Sequence, residues 1–328
     1  MKRFLIIIFI LPGFSLLYSQ IDTRFDGKTH AEIFTDFHHN LRDTTTGFGL
    51  NRALVGYSFL PVNNFSATVV VNIGSPEDLA AGSEPRRYAF FREASMSYIK
   101  DKLTVSMGIV KTHISDYQGK FLGKRYVANT LQSTNGYGYL ADLGIGIDYK
   151  FNDVIEANIG LMNGEGYCNI QMDNNLKVSG GIFIRPPGIL SFRLFGDAIK
   201  REGLWQSTLL CFAGIKTDRI TLGGDVIYKS KPDLLLFQDA WGVSGTGSVR
   251  LSEKVEIFGR YDHSATIKLS SDEIFPWQYM HDYDFLVTGF QYNLSPNVRM
   301  AIDYQGTYTS KPFKNVAEAL YLNAHFKF

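Results

Sequence analysis

The chain has 328 residues, of which 14% are aromatic and 20% charged, and its formal net charge is +1. A net charge this close to zero argues against a nucleic-acid-binding protein and against a pore lined by many charges of one sign. The two cysteines, Cys168 and Cys211, are too few for a disulfide framework or a cysteine metal site. We expect Cys168 near a loop and Cys211 within a strand.

Residues 1–19 have the plan of a secretory signal peptide. Lys2 and Arg3 precede an apolar run that extends to Leu17, and the small residue Ser19 stands at the expected cleavage site. The run is too short for a membrane-spanning helix, which takes about 20 apolar residues. The sequence therefore predicts export, with a signal peptide at 1–19 and a mature chain at 20–328. Without Lys2 and Arg3, the mature chain has 31 of the 33 basic residues and all 32 acidic residues, so its net charge is −1.

Sixteen segments of the mature chain have the period-2 pattern of β-strands, and most are about ten residues long, as tilted transmembrane strands are. After residue 19 no apolar run is long enough for a membrane helix, so a membrane protein with this sequence must be a closed β-barrel. In chain order the segments are 29–40, 48–59, 65–73, 88–99, 103–112, 137–149, 154–162, 176–185, 189–199, 206–215, 220–229, 240–251, 255–263, 284–292, 298–308 and 319–328.

The connections between these segments alternate in length. Short turns such as Pro61–Asn64 and Asn293–Asn297 alternate with mostly longer connections such as 74–87 and 264–283. Bacterial outer-membrane barrels have this arrangement, with short periplasmic turns and long extracellular loops. A soluble β-sandwich also has many short strands, but nothing in it makes loop lengths alternate. The sequence predicts an all-β, transmembrane antiparallel β-barrel of about 16 strands in a single domain of the outer membrane.

The last segment supports this prediction. Leu320, Leu322, Phe326 and the terminal Phe328 lie on one face of an extended strand, and polar residues occupy the other face. An apolar face that reaches the last residue is expected where that face meets lipid. Outer-membrane lipids are therefore the predicted surroundings. The ending also resembles the one that the barrel-assembly machinery of outer-membrane β-barrels reads, which implies that Phe326 and Phe328 are the assembly signal.

Parity along the strands predicts which charged residues line the lumen, and both signs are present in similar numbers. A wall that faces water is polar in any case, whereas opposed charges also bias ions. A barrel of 16 strands leaves an aqueous channel, so these side chains are expected to face water. The predicted lining residues are Arg52, Glu93, Asp142, Asp148, Glu156, Lys177, Arg193, Asp197, Asp225, Arg260, Asp262, Arg299 and Asp303.

The connection at about 113–136 is much longer than an ordinary hairpin loop. It contains Lys120, Lys124 and Arg125 but only one acidic residue, Asp116. If this loop folds inward, these four residues would form the pore constriction and would favour anions. The alternative is an extracellular lid that never enters the lumen.

Several segments resemble a known family. TDFHHN and NRALVGYSF in the first two strands, GKFLGKRYVANTLQSTNGYGYLADLGIGIDYKF, NGEGY at Asn163–Tyr167 and GRYDH at Gly259–His263 are similar to the Bacteroidetes branch of the phosphate-selective porin O and P family. The resemblance implies a 16-stranded porin, often a homotrimer, with an inward third loop. The phosphate-selective members combine an arginine ladder with a lysine cluster, whereas the lining predicted here is mixed.

Other interpretations have weaker support. His38 and His39 are adjacent in a strand and point to opposite faces, which argues against a metal site. A lipase would need a serine and a histidine on the lipid face, but Ser264, His263 and His281 lie at a predicted loop. A barrel that transports nothing, as a structural, secretion or adhesion subunit, stays open as the alternative. The interpretation we adopt is a porin for passive diffusion of small hydrophilic solutes or ions, with a mild anion preference, no cofactor and no enzymatic activity.

Overall fold

A computed structural model of the chain describes residues 26–328 except 75–87, 115, 235, 237, 269–280 and 310–315. The predicted signal peptide lies outside these residues. The strands are β1 (Gly27–Asn40), β2 (Thr46–Phe59), β3 (Phe65–Gly74), β4 (Tyr88–Lys100), β5 (Leu103–Lys111), β6 (Ala141–Lys150), β7 (Ile155–Met162), β8 (Lys177–Ile184), β9 (Leu190–Arg201), β10 (Leu204–Lys216), β11 (Ile220–Ser230), β12 (Gln238–Arg250), β13 (Val255–Lys268), β14 (Tyr283–Ser295), β15 (Val298–Tyr308) and β16 (Ala317–Lys327).

Each strand pairs with its chain neighbours, and β1 also pairs with β16, so the 16 strands form one closed barrel. All pairs are antiparallel; at the closing seam Phe34 lies opposite His325 and Phe37 opposite Leu322. Closure satisfies the backbone hydrogen bonds of every strand and leaves no exposed sheet edge. The predicted fold class is confirmed. Among the described residues, no helix has the length and apolar character needed to cross a membrane.

The outer surface of the barrel is apolar. Met107, Ile159, Phe290 and Ile302 are exposed over 62%, 61%, 59% and 64% of their surfaces. Each lies on the outward side of its strand, next to smaller or polar residues that point inward. Such a belt is stable only where lipid covers it.

All 16 predicted segments overlap observed strands, and the differences lie at their ends. β6 begins at Ala141 because residues 137–140 still belong to the preceding loop. β13 continues to Lys268, so Ser264 lies in a strand, buried and 3.3 Å from the Tyr137 hydroxyl, rather than in a loop. Between the predicted segments 189–199 and 206–215, β9 extends to Arg201 and β10 begins at Leu204. Only Glu202 and Gly203 remain between them, both with positive φ, as a two-residue hairpin turn requires.

The connection between β5 and β6, residues 112–140, is called loop L3. It contains two short helices, α1 (Asp116–Leu122) and α2 (Leu131–Thr134). The Thr130 hydroxyl accepts a hydrogen bond from the Ser133 backbone and caps α2. Loop L3 enters the barrel, and the buried side chains of the protein are concentrated where it meets the wall.

Candidate functional site: the lumen around loop L3

Loop L3 packs mainly against one side of the inner wall. Two apolar clusters join it to β9–β15 and to β1. The first contains Ile114, Phe121, Leu131, Tyr137, Phe195, Leu210, Phe212, Ile227 and Ala240. The second contains Phe34, Tyr126, Val127, Phe258, Val287 and Ala301. The β16 side chain His325 also stacks on Tyr126, with ring centroids 5.4 Å apart. Burial of these side chains holds the loop in place.

Donors from the same wall bind the backbone of loop L3. Lys216 Nζ donates to the carbonyl of Phe121 at 3.1 Å, and Lys229 Nζ donates to that of Gly136 at 2.9 Å. Gln305 Nε2 donates to the carbonyl of Val127 at 3.0 Å, and Arg193 Nη1 donates to the carbonyl of Ile114 at 3.4 Å. Arg260 donates to the carbonyl of Asn129. These bonds satisfy loop carbonyls that would otherwise be buried without partners.

Because the loop lies to one side, a cavity of about 610 Å³ remains between α1 and the wall formed by β4–β8. We call this cavity the chamber. Three ion pairs line it: Lys111–Glu93 at 3.2 Å, Lys120–Asp116 at 2.7 Å and Arg185–Glu156 at 2.7 Å. The His113 ring lies 3.3 Å from the carboxylate of Asp148. Burial raises the pKa of Asp116, but Lys120, Lys111 and Arg92 outweigh burial and hold this pKa at about 2. Asp116 is therefore ionised at every physiological pH.

Three guanidinium groups, from Arg52 on β2, Arg92 on β4 and Arg125 on loop L3, form the arginine cluster. Burial and repulsion by Arg52 and Arg92 lower the pKa of Arg125 to about 9, against the opposing effect of Asp116. Arg92 Nη1 and Arg125 Nε and Nη2 are buried without a hydrogen-bond partner among the described residues. Buried N–H groups of this kind are costly unless something accepts from them. The cluster is suited to contact with anions.

Two β-bulges orient the wall members of the cluster. Arg92 is the extra residue opposite the Val70–Val71 step, because Val70 pairs with Glu93 and Val71 with Phe91. Phe34 pairs with Arg52 and Thr35 with Leu50, so Asn51 is the extra residue beside Arg52. A bulge changes the direction of a side chain, so Arg92 and Glu93 both point into the lumen although they are adjacent.

Gly119 leaves space for the side chain of Arg125, the member of the arginine cluster that belongs to loop L3. Glycine weakens a helix by about 1 kcal/mol relative to alanine, yet Gly119 lies inside α1. A Cβ atom at this position would lie 2.7 Å from Cδ of Arg125. The missing side chain therefore fixes where the Arg125 stem runs.

We expect Gly119→Ala to displace Arg125 and to lower the anion-to-cation permeability ratio of the reconstituted protein, without loss of the folded barrel. The helix gains up to about 1 kcal/mol of propensity from alanine, so a change in selectivity would come from the displacement. The measurement is the reversal potential under a salt gradient. Gly245→Ala is the control, because a Cβ there would meet nothing within 4 Å. Equal reversal potentials for the two variants would contradict this role of Gly119.

The four residues predicted to form the constriction are divided among three places. Lys120 and Asp116 line the chamber, and the Lys120 side chain is 68% exposed. Arg125 belongs to the arginine cluster. Lys124 lies on the far side of the loop, where its Nζ atom is 2.8 Å from Glu256 and 5.5 Å from the Phe258 ring centre. Burial lowers the pKa of Lys124 in spite of Glu256.

The residues predicted to line the pore point inward, but several are covered. Arg193 is 1% exposed beneath loop L3, and Arg260 is paired with Asp262 and bound to the loop. Asp142 accepts from the backbone of Gly164 at 2.7 Å, and Asp303 accepts from Asn323 Nδ2 at 2.6 Å. The expectation that inward charges face water is therefore wrong for five buried residues, which are all at most 5% exposed: Arg193, Asp142, Asp225, Asp262 and Asp303.

The remaining predicted residues lie closer to open space. The Arg52 guanidinium is 5.1 Å from the Phe34 ring centre, and Lys177 Nζ is 5.9 Å from that of Tyr139. Arg299 lies near Gly123 of loop L3. At the other end of the barrel, Phe328 is 68% exposed, and its backbone donates to the carbonyl of Ala31 at 2.8 Å.

Sequence reasoning missed Arg92. Glu93 is inward, so strict alternation assigns Arg92 to the lipid face, and only the bulge brings both residues inside. The available signal in the sequence was that two adjacent residues of one strand, Arg92 and Glu93, are both charged. Strict alternation would place one of them in lipid, where an arginine is energetically costly. Lys216 and Lys229 were likewise absent from the predicted lining.

No family model and no curated protein matches the chain. Solved structures match its fold. An OmpF structure from Salmonella typhi, in complex with daunomycin, aligns with a TM-score of 0.70 at 10% identity over 92% of this chain and 97% of that one. An anion-selective porin from Comamonas acidovorans aligns with a TM-score of 0.63 at 12% identity over 92% and 99%. The trimer form of OmpT, an outer-membrane protein of Vibrio cholerae, aligns with a TM-score of 0.61 at 12% identity over 92% and 99%.

The chain therefore has the fold of bacterial outer-membrane porins. Its closed 16-stranded barrel and its apolar outer belt place it in the outer membrane of a bacterium.

Proposed function

We propose that this protein is a porin, a passive channel for small hydrophilic solutes and ions with a mild preference for anions. The arginine cluster carries the anion preference, because two of its members have buried N–H groups without acceptors. Narrow passages with low-dielectric walls focus the field of such groups on a passing ion. The nearby ionised Asp116 offsets part of this field, which is why the preference is mild.

The chamber supports the transport part of the proposal. A barrel that serves only as a scaffold would have a filled interior, whereas here about 610 Å³ stays open beside loop L3. Solutes would cross it down their gradients, without a cofactor and without covalent chemistry. The proposal includes export through the signal peptide at 1–19, a barrel formed from 20–328 and assembly into a homotrimer, which the trimer form of the Vibrio structure supports.

The test is single-channel recording of the purified protein in planar bilayers. We expect discrete conductance steps and, under a salt gradient, a reversal potential on the anion-selective side. Absence of steps from protein that is folded would leave the non-transporting barrel as the better explanation. Steps with cation selectivity would contradict the anion preference only.

The double variant Arg92→Gln and Arg125→Gln is expected to lower the anion-to-cation permeability ratio several-fold at low salt. It removes two of the three charges of the cluster while keeping polar side chains of similar length. The effect should shrink near 1 M salt, where the screening length is about 3 Å. The control is Arg219→Gln with Arg250→Gln. Both arginines are exposed and lie at the short turns, which the proposal places on the periplasmic side. An unchanged ratio at low salt would show that ions do not pass the cluster.

A further inference from the structure

The chamber differs in chemistry from the arginine cluster. On the barrel wall it presents four hydroxyl side chains, from Ser95 and Ser97 on β4 and Thr104 and Ser106 on β5. The hydroxyls of Ser97 and Ser106 are 2.8 Å apart. Hydroxyls donate and accept equally well, so this wall can replace water around a polar solute.

Most charges of the chamber are paired. Each lysine and arginine that lines it lies within 3.2 Å of an acidic partner, and the His113 ring lies 3.3 Å from Asp148. Partly exposed pairs of this kind exert little net force on an ion. Their carboxylates still accept hydrogen bonds and their ammonium and guanidinium groups still donate them. The chamber is therefore rich in donors and acceptors but nearly neutral.

Opposite the hydroxyls, the chamber has an aromatic side. The Tyr117 ring of α1 is half-buried and lies edge-on against Phe183 at 4.9 Å and Phe212 at 5.5 Å. These contacts lock the ring in one orientation, and its remaining surface borders the chamber. An apolar ring on one side with convergent polar groups on the other is the usual composition of a small-molecule site.

We propose that the chamber is a binding subsite for neutral polyhydroxylated solutes of the size of a disaccharide. Sugar rings have apolar C–H faces and polar hydroxyl edges, which match Tyr117 and the hydroxyl wall. The volume of about 610 Å³ lies within the range of about 300–1,000 Å³ typical of ligand pockets. The inference rests on the proposed porin function and adds the class of solute.

The experiment adds maltose to single channels of the purified protein in planar bilayers. We expect a saturable fall in ion current, beyond the fall caused by a polyethylene glycol of equal size, which has the volume but few hydroxyls. Equal falls for the two solutes would overturn the subsite while leaving the porin function intact. Absence of any channel current would overturn the porin function and the subsite with it.

Variants locate the binding. Ser97→Ala with Ser106→Ala should raise the maltose concentration for half-maximal block several-fold. Ser58→Ala with Thr68→Ala is the matched control, because this hydroxyl pair, 2.9 Å apart, belongs to β2 and β3 and not to the chamber. Tyr117→Ala should also weaken block, and Tyr117→Phe, which keeps the ring and its packing, should restore most of it. Equal effects of both hydroxyl pairs, or of both Tyr117 variants, would contradict this placement.

Discussion

Replacing Leu131 with aspartate is expected to release loop L3 from the wall and to raise single-channel conductance roughly twofold or more, because conductance follows the open cross-section of the pore. Leu131 is 1% exposed in the first apolar cluster, and its neighbour Gln132 is bound to Asp225. A carboxylate at this position would be buried among apolar side chains and close to another acid, which costs several kcal/mol. The loop lies outside the strand ladder, so the barrel should persist.

The matched control for this variant is Leu131→Met, which keeps volume and apolar character and costs less than about 1.5 kcal/mol. Its conductance should equal that of the natural protein. Both variants are first checked for the heat-modifiable mobility of a folded barrel. Normal conductance from folded Leu131→Asp channels would show that the apolar clusters do not set the width of the pore.

Deleting Phe328, or changing it to aspartate, is expected to reduce the amount of folded barrel in the outer membrane to a small fraction. Phe328 is highly exposed at the end of β16 and is tied to Ala31 of β1 by its backbone. On the lipid face, an arginine or lysine costs about 2–4 kcal/mol at mid-membrane and about 0–1 kcal/mol near the interface, and an aspartate costs less. The larger part of the effect should therefore come from loss of the terminal aromatic residue during assembly. Heat-modifiable protein in outer-membrane fractions is the measurement.

Phe328→Tyr is the control, because it keeps an aromatic residue at the terminus. Phe326 lies on the same face but pairs with Ile33 and Val298 inside the sheet. Its replacement would lower the stability of the barrel as well as its assembly, so the two effects could not be separated. Normal amounts of folded Phe328→Asp protein would contradict the predicted role of the terminus.

The barrel could be predicted because its lipid and water faces impose a strict two-residue period on most strands. β6 is an example: Leu143, Ile145 and Ile147 are exposed on the outer surface, and Asp142 is inside. Strand ends were less certain, because turn chemistry competes with strand periodicity. The segment 137–140 continues the alternating pattern of β6, but Tyr137 is buried against Leu131 and Phe212 as part of loop L3.

The interior was harder to predict, since it depends on contacts between segments far apart in the chain. On β10, Leu209 and Cys211 face outward while Leu210 and Phe212 are buried inside. Apolar residues on both faces were the sequence signal that something covers the inner wall. Arg193 and Arg260 could be placed inside by parity, but no local pattern showed that their partners would be loop atoms. The bulge at Arg92 adds one residue to the strand, which periodicity alone does not reveal.

Because loop L3 is attached mainly to one side of the barrel, two arcs of strands have different roles. The arc β9–β16, together with β1, uses its inward side chains to hold the loop. The arc β4–β8 presents its inward side chains to the chamber. Under the proposed porin function, evolution could change which neutral solutes the chamber accepts by altering the second arc. Sequence drift in the first arc would instead change how firmly loop L3 is held and, with it, the width of the pore.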